Sequence, residues 1–243
     1  MALDCISFSI EKSRIAAIIG PNGAGKTSLF NCVTGFYRPT SGVILLNRAD
    51  EELQLQRMSQ PKIAAKARIA RSFQNIRLFG AMTCLENLLV AQYTHRAPSA
   101  VSCLLNLPSA QAQERATVAR ARDLLERFGL LGFADQVART LPYGAQRRLE
   151  IARALATDPV LLCLDEPAAG LNETESYELA ERLSTLRDDG LTLLLIDHDM
   201  SLIMKIADQV IVLDGGRKIA DGSPADIQAD RRVIAAYLGE ELD

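Results

Sequence analysis

No apolar run approaches the roughly 18 residues that a membrane span needs; the best is a short stretch over residues 193–196. Membrane work would therefore fall to another chain. A secretory signal is also missing, because Asp4 and Glu11 interrupt the first residues and no basic segment precedes an apolar one. Together these absences predict a chain that stays in the cytosol. There is no surplus of positive charge either: 27 Lys and Arg stand against 30 Asp and Glu, a net charge of −3, which argues against a general attraction to nucleic acid. The five cysteines, Cys5, Cys32, Cys84, Cys103 and Cys163, are odd in number, widely spaced and form no C-x-x-C pair, so they read as buried thiols in a reducing compartment. Internal repeats and low-complexity linkers are absent. What is present is an ordinary globular composition, 48% hydrophobic and 23% charged over 243 residues, enough for one or two domains and a sizeable core.

Hydrophobic periodicity sketches the elements. Residues 14–19 are a short apolar run before a Gly-rich turn, and 26–34 read as a helix. Residues 43–46 and 69–73 are further strand candidates, and 84–155 turn helical, with Val118, Ala121, Leu125 and Phe128 on one face of a helix ending near Gly129. The continuous apolar runs 160–164 and 191–196 fit strands buried on both faces of a parallel sheet. Leu179, Leu183 and Leu186 mark the crossover helix between them, which ends near Gly190. A hairpin is expected at 210–220 around Asp214-Gly215-Gly216. The pattern predicts one α/β core interrupted by a helical insertion: residues 1–73 and 156–243 as the core, 74–155 as the inserted helical subdomain.

The chemistry is concentrated in three places. Gly20-Pro21-Asn22-Gly23-Ala24-Gly25-Lys26-Thr27 satisfies G-x-x-x-x-G-K-[ST] between a predicted strand and a predicted helix, with Ser28 next in line. In that context backbone N–H groups and a helix N-terminus close around phosphates, Lys26 reaches the β- and γ-phosphates of ATP, and Thr27 offers a hydroxyl to Mg²⁺. Asp165 and Glu166 end the run 160–164, at the strand edge where ligands bind in open α/β sheets. A D-E pair alone also suits a solvated turn; beside the Gly-rich loop, Asp165 is expected to hold Mg²⁺ and Glu166 to orient and deprotonate the attacking water. His198 follows the next strand at the same edge, placed to contact the γ-phosphate, whereas His95 has no such context.

These pieces resemble the ABC ATPase family over nearly the whole chain. The resemblance implies a P-loop NTPase (RecA-like) parallel-sheet core, an antiparallel β subdomain and an inserted α-helical subdomain. Gln74 in Ser72-Phe73-Gln74-Asn75 looks like the family's Q-loop glutamine, implying contact with Mg²⁺ and with the membrane partner; a surface glutamine is the alternative. The segment from Leu141 through Pro142, Tyr143, Gly144 and Ala145 looks like the signature segment, which implies that Tyr143 and Gly144 cap the γ-phosphate held by the opposite subunit. Ala168-Ala169-Gly170-Leu171-Asn172 resembles the D-loop, although Asn172 with Glu175 also reads as a helix cap.

Closer in, Phe30 to Tyr37, Asn75-Ile76-Arg77-Leu78-Phe79, Glu86 to Gln92 and Tyr237-Leu238-Gly239 look like the LivG type, the ATPases of high-affinity branched-chain amino acid importers. That resemblance implies a second ATPase subunit, identical or not, transmembrane permeases and, indirectly, a periplasmic solute-binding protein. The chain would be held peripherally by the permeases at the cytoplasmic face of the inner membrane. Around Arg77, exposed Ile76, Leu78 and Phe79 would suit a permease helix. Other readings are a lipopolysaccharide-export ATPase, a soluble ABC protein of repair or translation, and a non-hydrolytic binding module. Residues 94–112 and the Phe36-Tyr37 pair favour uptake over export, and Lys26, Glu166 and His198 together favour hydrolysis.

Three positions depart from the family pattern. Pro142 and Ala145 replace a serine and a glutamine of the signature, which puts the contact across the dimer in question while leaving the helix start intact. Asp197 stands where glutamate is usual. In addition, the family's adenine-stacking aromatic lies upstream of the point where this sequence begins, so a preceding segment is expected. Residues 2–10 look like the second strand of the antiparallel subdomain, with Ile6, Phe8 and Ile10 facing the core.

Overall fold

The computed structural model describes residues 2–48, 51–96 and 108–238. Its strands and its α-helices of more than one turn, in chain order, are β1 (Ile15–Ile19), α1 (Lys26–Val33), β2 (Leu45–Arg48), β3 (Glu51–Gln54), β4 (Ile69–Arg71), α2 (Cys84–Arg96), α3 (Pro108–Arg127), α4 (Tyr143–Ala156), β5 (Leu161–Asp165), α5 (Glu173–Asp188), β6 (Thr192–Ile196), α6 (Met200–Ile206), β7 (Gln209–Asp214), β8 (Arg217–Gly222), α7 (Pro224–Ala229) and α8 (Arg231–Leu238). They fall into two compact units, Met1–Gln74 with Val160–Asp243, and Asn75–Pro159. Against the expected boundaries, Gln74 stays with the sheet and residues 156–159 go with the helices.

In the first unit a six-stranded sheet runs in the order β4-β5-β6-β1-β7-β8. Every residue of β1, β5 and β6 is buried, as expected for apolar strands covered on both faces. β4 through β7 are parallel and β8 turns back antiparallel to β7. Register aligns Ile18 of β1 and Asp165 of β5 with the same residue, Ile196 of β6, so three strands end at one edge. Phe30 of α1 packs with Ile18, Cys163, Leu194, Ile196 and Leu213 in the core, fastening α1 to the sheet beneath that edge.

Several expectations need correction here. Residues 2–10 form no strand, although Ile6, Phe8 and Ile10 do pack on the core while Ser7 and Ser9 are exposed. Alternation chose the face; a strand also needs a backbone ladder, and residues 2–10 pair with no strand among the described residues. The strand expected at 43–46 lies instead at Leu45–Arg48, paired antiparallel with β3, and Val43 is exposed. Of the described cysteines, Cys32, Cys84 and Cys163 are buried but Cys5 is exposed. Cys103, residues 97–107 of the 94–112 stretch and Gly239 lie outside the described residues.

The second unit is helical. Its core includes Leu88 of α2, Leu125 of α3, Phe128, and Leu149 and Ile151 of α4. α2 opens on a reciprocal cap, with Thr83 Oγ1 accepting from Glu86 N and Glu86 Oε2 accepting from Thr83 N. After α3 the chain turns at Gly129, whose φ of 66° suits glycine. Phe79 and Arg77 are exposed, while Ile76 and Leu78 are half-buried, so the apolar patch expected around Arg77 is smaller than the sequence suggested.

Candidate nucleotide site

The loop between β1 and α1 has the shape its glycines require. Gly20 has φ +146°, and a Cβ there would stand 2.0 Å from the carbonyl oxygen of Leu213 on β7. At Gly25, the N-cap of α1, φ is +99° and a Cβ would meet the carbonyl oxygen of Ala2 at 2.7 Å. Neither position tolerates a side chain. Between them Pro21, Asn22, Gly23 and Ala24 turn the chain, with Ala24 N donating to Pro21 O at 3.2 Å. Lys26 begins α1, and its Nζ donates to the carbonyl oxygens of Gly20 (2.6 Å) and Pro21 (2.9 Å). Burial lowers the Lys26 pKa, and the Glu166 carboxylate partly offsets this. α1 has no side-chain cap and no acid in its first turn, where Thr27 and Ser28 sit, so its first N–H groups suit an anion.

The ends of β5 and β6 supply the acids. Asp165 is buried, its backbone N donates to Ser72 Oγ at 3.3 Å, and its Oδ2 accepts from Arg71 Nη2 at 2.9 Å. Glu166 follows with φ +47°, a left-handed conformation costing about 1–3 kcal/mol in a non-glycine residue and concentrated at functional sites. Its backbone N donates to Ile196 O at 2.7 Å, tying the turn to β6. Its carboxylate accepts from Gln74 Nε2 at 3.0 Å and stands 3.6 Å from His198 Nδ1. His198 is largely exposed. Next to it Asp197, almost fully buried, accepts from Asp199 N at 3.0 Å and from Ala168 N at 3.5 Å. Burial raises the Asp197 pKa against the pull of these N–H groups and of His198.

The structure thus brings Gln74, Glu166 and His198 into one contact chain, and Gly20, Pro21 and Lys26 into another, at the edge where β1, β5 and β6 end. Tyr143 and Gly144 belong to the helical unit. There Pro142, with φ −54° and ψ 151°, is the N-cap of α4, and its carbonyl accepts from Gln146 N at 3.0 Å. A missing N–H costs nothing at that position. Tyr143 is exposed, while Gly144 and Ala145 are buried. Asn172 and Glu175 form a reciprocal cap on α5. For Mg²⁺, Thr27, Asp165 and Gln74 could offer a hydroxyl, one carboxylate and an amide oxygen. Among the described residues no group of three or more His, Cys, Asp or Glu is arranged so that it could hold a metal ion. One carboxylate and neutral oxygens, completed by phosphate and water, suit Mg²⁺, which rarely takes an all-protein cage.

Sequence reasoning missed Arg71, which bonds Asp165, and Ser72, which receives its N–H. The signal was a charged residue in the middle of the predicted apolar strand at 69–73, where a cation needs a partner.

With this geometry in place, similarity to known proteins follows the same lines. The family model for ABC transporters matches residues 3–169, and the model for branched-chain amino acid ATP-binding cassette transporters matches 217–243. The chain is 46% identical over 241 residues to the high-affinity branched-chain amino acid transport ATP-binding protein BraF of Pseudomonas aeruginosa, covering 99% of this chain and 92% of that protein. Identity and coverage are the same for LivG of Escherichia coli K12. The lipopolysaccharide export ATP-binding protein LptB of Haemophilus influenzae is 30% identical over 98% of this chain and 90% of its own length. Among solved structures, an ATP-binding cassette of an ABC transporter in its ADP conformation superposes with a TM-score of 0.81 at 30% identity, covering 98% of this chain and 93% of that one. A nucleotide-binding loop with its acids at the adjoining strand ends, carried by a chain so related, makes this protein a member of the ABC transporter family, one of its ATP-binding, ATP-hydrolysing subunits.

Proposed function

We propose that the chain hydrolyses ATP to power uptake of branched-chain amino acids or closely related small solutes. It works as one of two ATPase subunits, identical or not, bound to transmembrane permeases that receive solute from a periplasmic binding protein. Its place is peripheral, at the cytoplasmic face of the inner membrane. Importer subunits are favoured over export by the identity of 46% to BraF against 30% to LptB, and by the match of residues 217–243.

The observation that carries the catalytic reading is the Glu166 carboxylate at the end of β5, held between Gln74 and His198. Gly20 to Ser28 hold the phosphates, Lys26 pairs with the terminal ones, and Thr27, Asp165 and Gln74 hold Mg²⁺, which neutralises phosphate charge when bound. Glu166 accepts a proton from the attacking water, and His198, exposed beside it, faces the γ-phosphate. Tyr143 and Gly144, at the start of α4, cap the nucleotide of the opposite subunit.

Glu166→Gln keeps the phosphate loop and removes the base, so hydrolysis should fall by about 10²–10⁴-fold while nucleotide still binds. Phosphate release and binding of a fluorescent ATP analogue, measured on the same preparation, test this. Wild-type phosphate release would remove Glu166 from the mechanism.

A further inference from the structure

Arg71 is the cation that the phosphate chemistry leaves unexplained. It ends edge strand β4, yet its side chain and that of Asp165 are each only 10% exposed. Its Nη2 donates to Asp165 Oδ2 at 2.9 Å. Its Nη1 donates to Asn31 Oδ1 and, at 3.1 Å, to Thr34 Oγ1, both at the C-terminal end of α1. Thr34 Oγ1 in turn donates to Phe30 O at 2.7 Å. Three rings surround the guanidinium carbon, Phe30 at 4.7 Å, Phe36 at 5.1 Å and Phe73 at 5.3 Å. Phe36 and Phe73 meet edge to face at 5.9 Å. The Nε is buried with no hydrogen-bond partner. That cost is accepted because the planar fork satisfies α1 and β5 at once, which a lysine's single ammonium does with less fixed geometry.

The consequence lies in where the two anchors sit. Thr27 and Asn31 are four residues apart on α1, hence on one helix face. Thr27 supplies the hydroxyl of the metal site, Asn31 holds Arg71, and Arg71 holds Asp165. We propose that Arg71 is a positioning residue for the metal site, clasping Asp165 to α1 and so setting the spacing between the Asp165 carboxylate and the Thr27 hydroxyl. In this role it acts through Asp165 and not on nucleotide or metal directly. Its aromatic surround fixes the guanidinium plane, and with it the carboxylate rotamer.

The proposal rests on Asp165 being a Mg²⁺ ligand, and its test separates the two ideas. ADP binding to the full chain is followed by calorimetry, once in EDTA and once across a Mg²⁺ titration. Arg71→Lys keeps the charge and loses the fork; its Mg²⁺ half-saturation should rise by about 10- to 100-fold, the usual cost of removing an outer-shell partner, while affinity for ADP in EDTA stays unchanged. An Asp165→Asn control must shift the Mg²⁺ curve as well. If it does and Arg71→Lys does not, the clasp is wrong; if Asp165→Asn leaves the curve in place, the metal-ligand reading itself fails. Equal weakening with and without Mg²⁺ would mean general damage to the site and would overturn the positioning role. Should Arg71→Lys not fold, Asn31→Ala leaves the Arg71–Asp165 pair and removes one anchor. It should move the Mg²⁺ curve in the same direction by a smaller factor, and an unmoved curve would again overturn the proposal.

Discussion

At the scale of single residues, the site is built from side chains whose charge is set by what surrounds them. Lys26 is partly desolvated by its own loop, Asp197 is buried against two N–H groups, and Cys163, beneath the same strand end, has its thiol pushed up to about 12 by burial, which keeps it unreactive. Asp199 shows the opposite shift. The Ser201 hydroxyl lowers its pKa most, burial opposes as the next largest contribution, and the N–H groups of Leu202 and Ser201 with His198 add to the lowering, so that it lies below the ordinary 3.8. A depressed carboxylate stabilises the folded state above its unfolded pKa, and that stability is lost as pH falls through the folded value, because the unfolded chain then binds the proton first. The stability difference between the wild type and Asp199→Ala should therefore be full at neutral pH and shrink on acidification below 3.8. Urea midpoints measured from pH 7 downwards check this; a difference that grows on acidification would reverse the assignment.

At the scale of elements, α4 is held by a buried charge pair. Arg147 Nη1 donates to Glu150 Oε2 at 2.8 Å, both side chains essentially without solvent exposure. The other oxygen, Glu150 Oε1, accepts from the backbone N of Arg77 at 3.1 Å. One carboxylate therefore fixes α4 to the main chain at Arg77, all within the helical unit. Arg147→Met takes the guanidinium from a buried carboxylate and should destabilise the protein by about 3–5 kcal/mol. The double variant Arg147→Met, Glu150→Leu should recover part of that loss, though not the hold on Arg77. Denaturant unfolding of the two variants measures both; a single variant as stable as wild type would show the pair to be dispensable.

At the scale of the whole molecule, no helix among the described residues is long and apolar enough to cross a membrane, and the proposed function couples the chain to a membrane partner. The exposed side chain of Arg77, with exposed Phe79 nearby in sequence, remains the expected docking point even though Ile76 and Leu78 are half-buried. Arg77→Glu reverses the charge of an exposed side chain. Its expected effect is lower solute uptake by cells at unchanged ATPase activity of the isolated subunit. Parallel loss of both would trace the defect to folding, and unchanged uptake would remove Arg77 from the docking surface.

Across these scales, sequence alone determined whatever depends on local chemistry or on periodicity. The Gly-rich loop needs glycine at Gly20 and Gly25 for backbone reasons, the largely apolar runs of β5 and β6 announce strands covered on both faces, and Asn172 with Glu175 announces a helix cap; the structure has all three. The proline before α4 was equally readable, since its missing N–H falls where a helix needs none. Only tertiary structure decided what depends on partners distant in the chain. Residues 2–10 have a strand's alternation and no ladder, because main-chain pairing is not written in side-chain pattern. Gln74 and Glu166 are separated by 92 residues, and Arg71 and Asp165 by 94, yet each pair is bonded because β4 and β5 lie side by side in the sheet. A sequence names the charges that need partners; the order of strands chooses which partner each one meets.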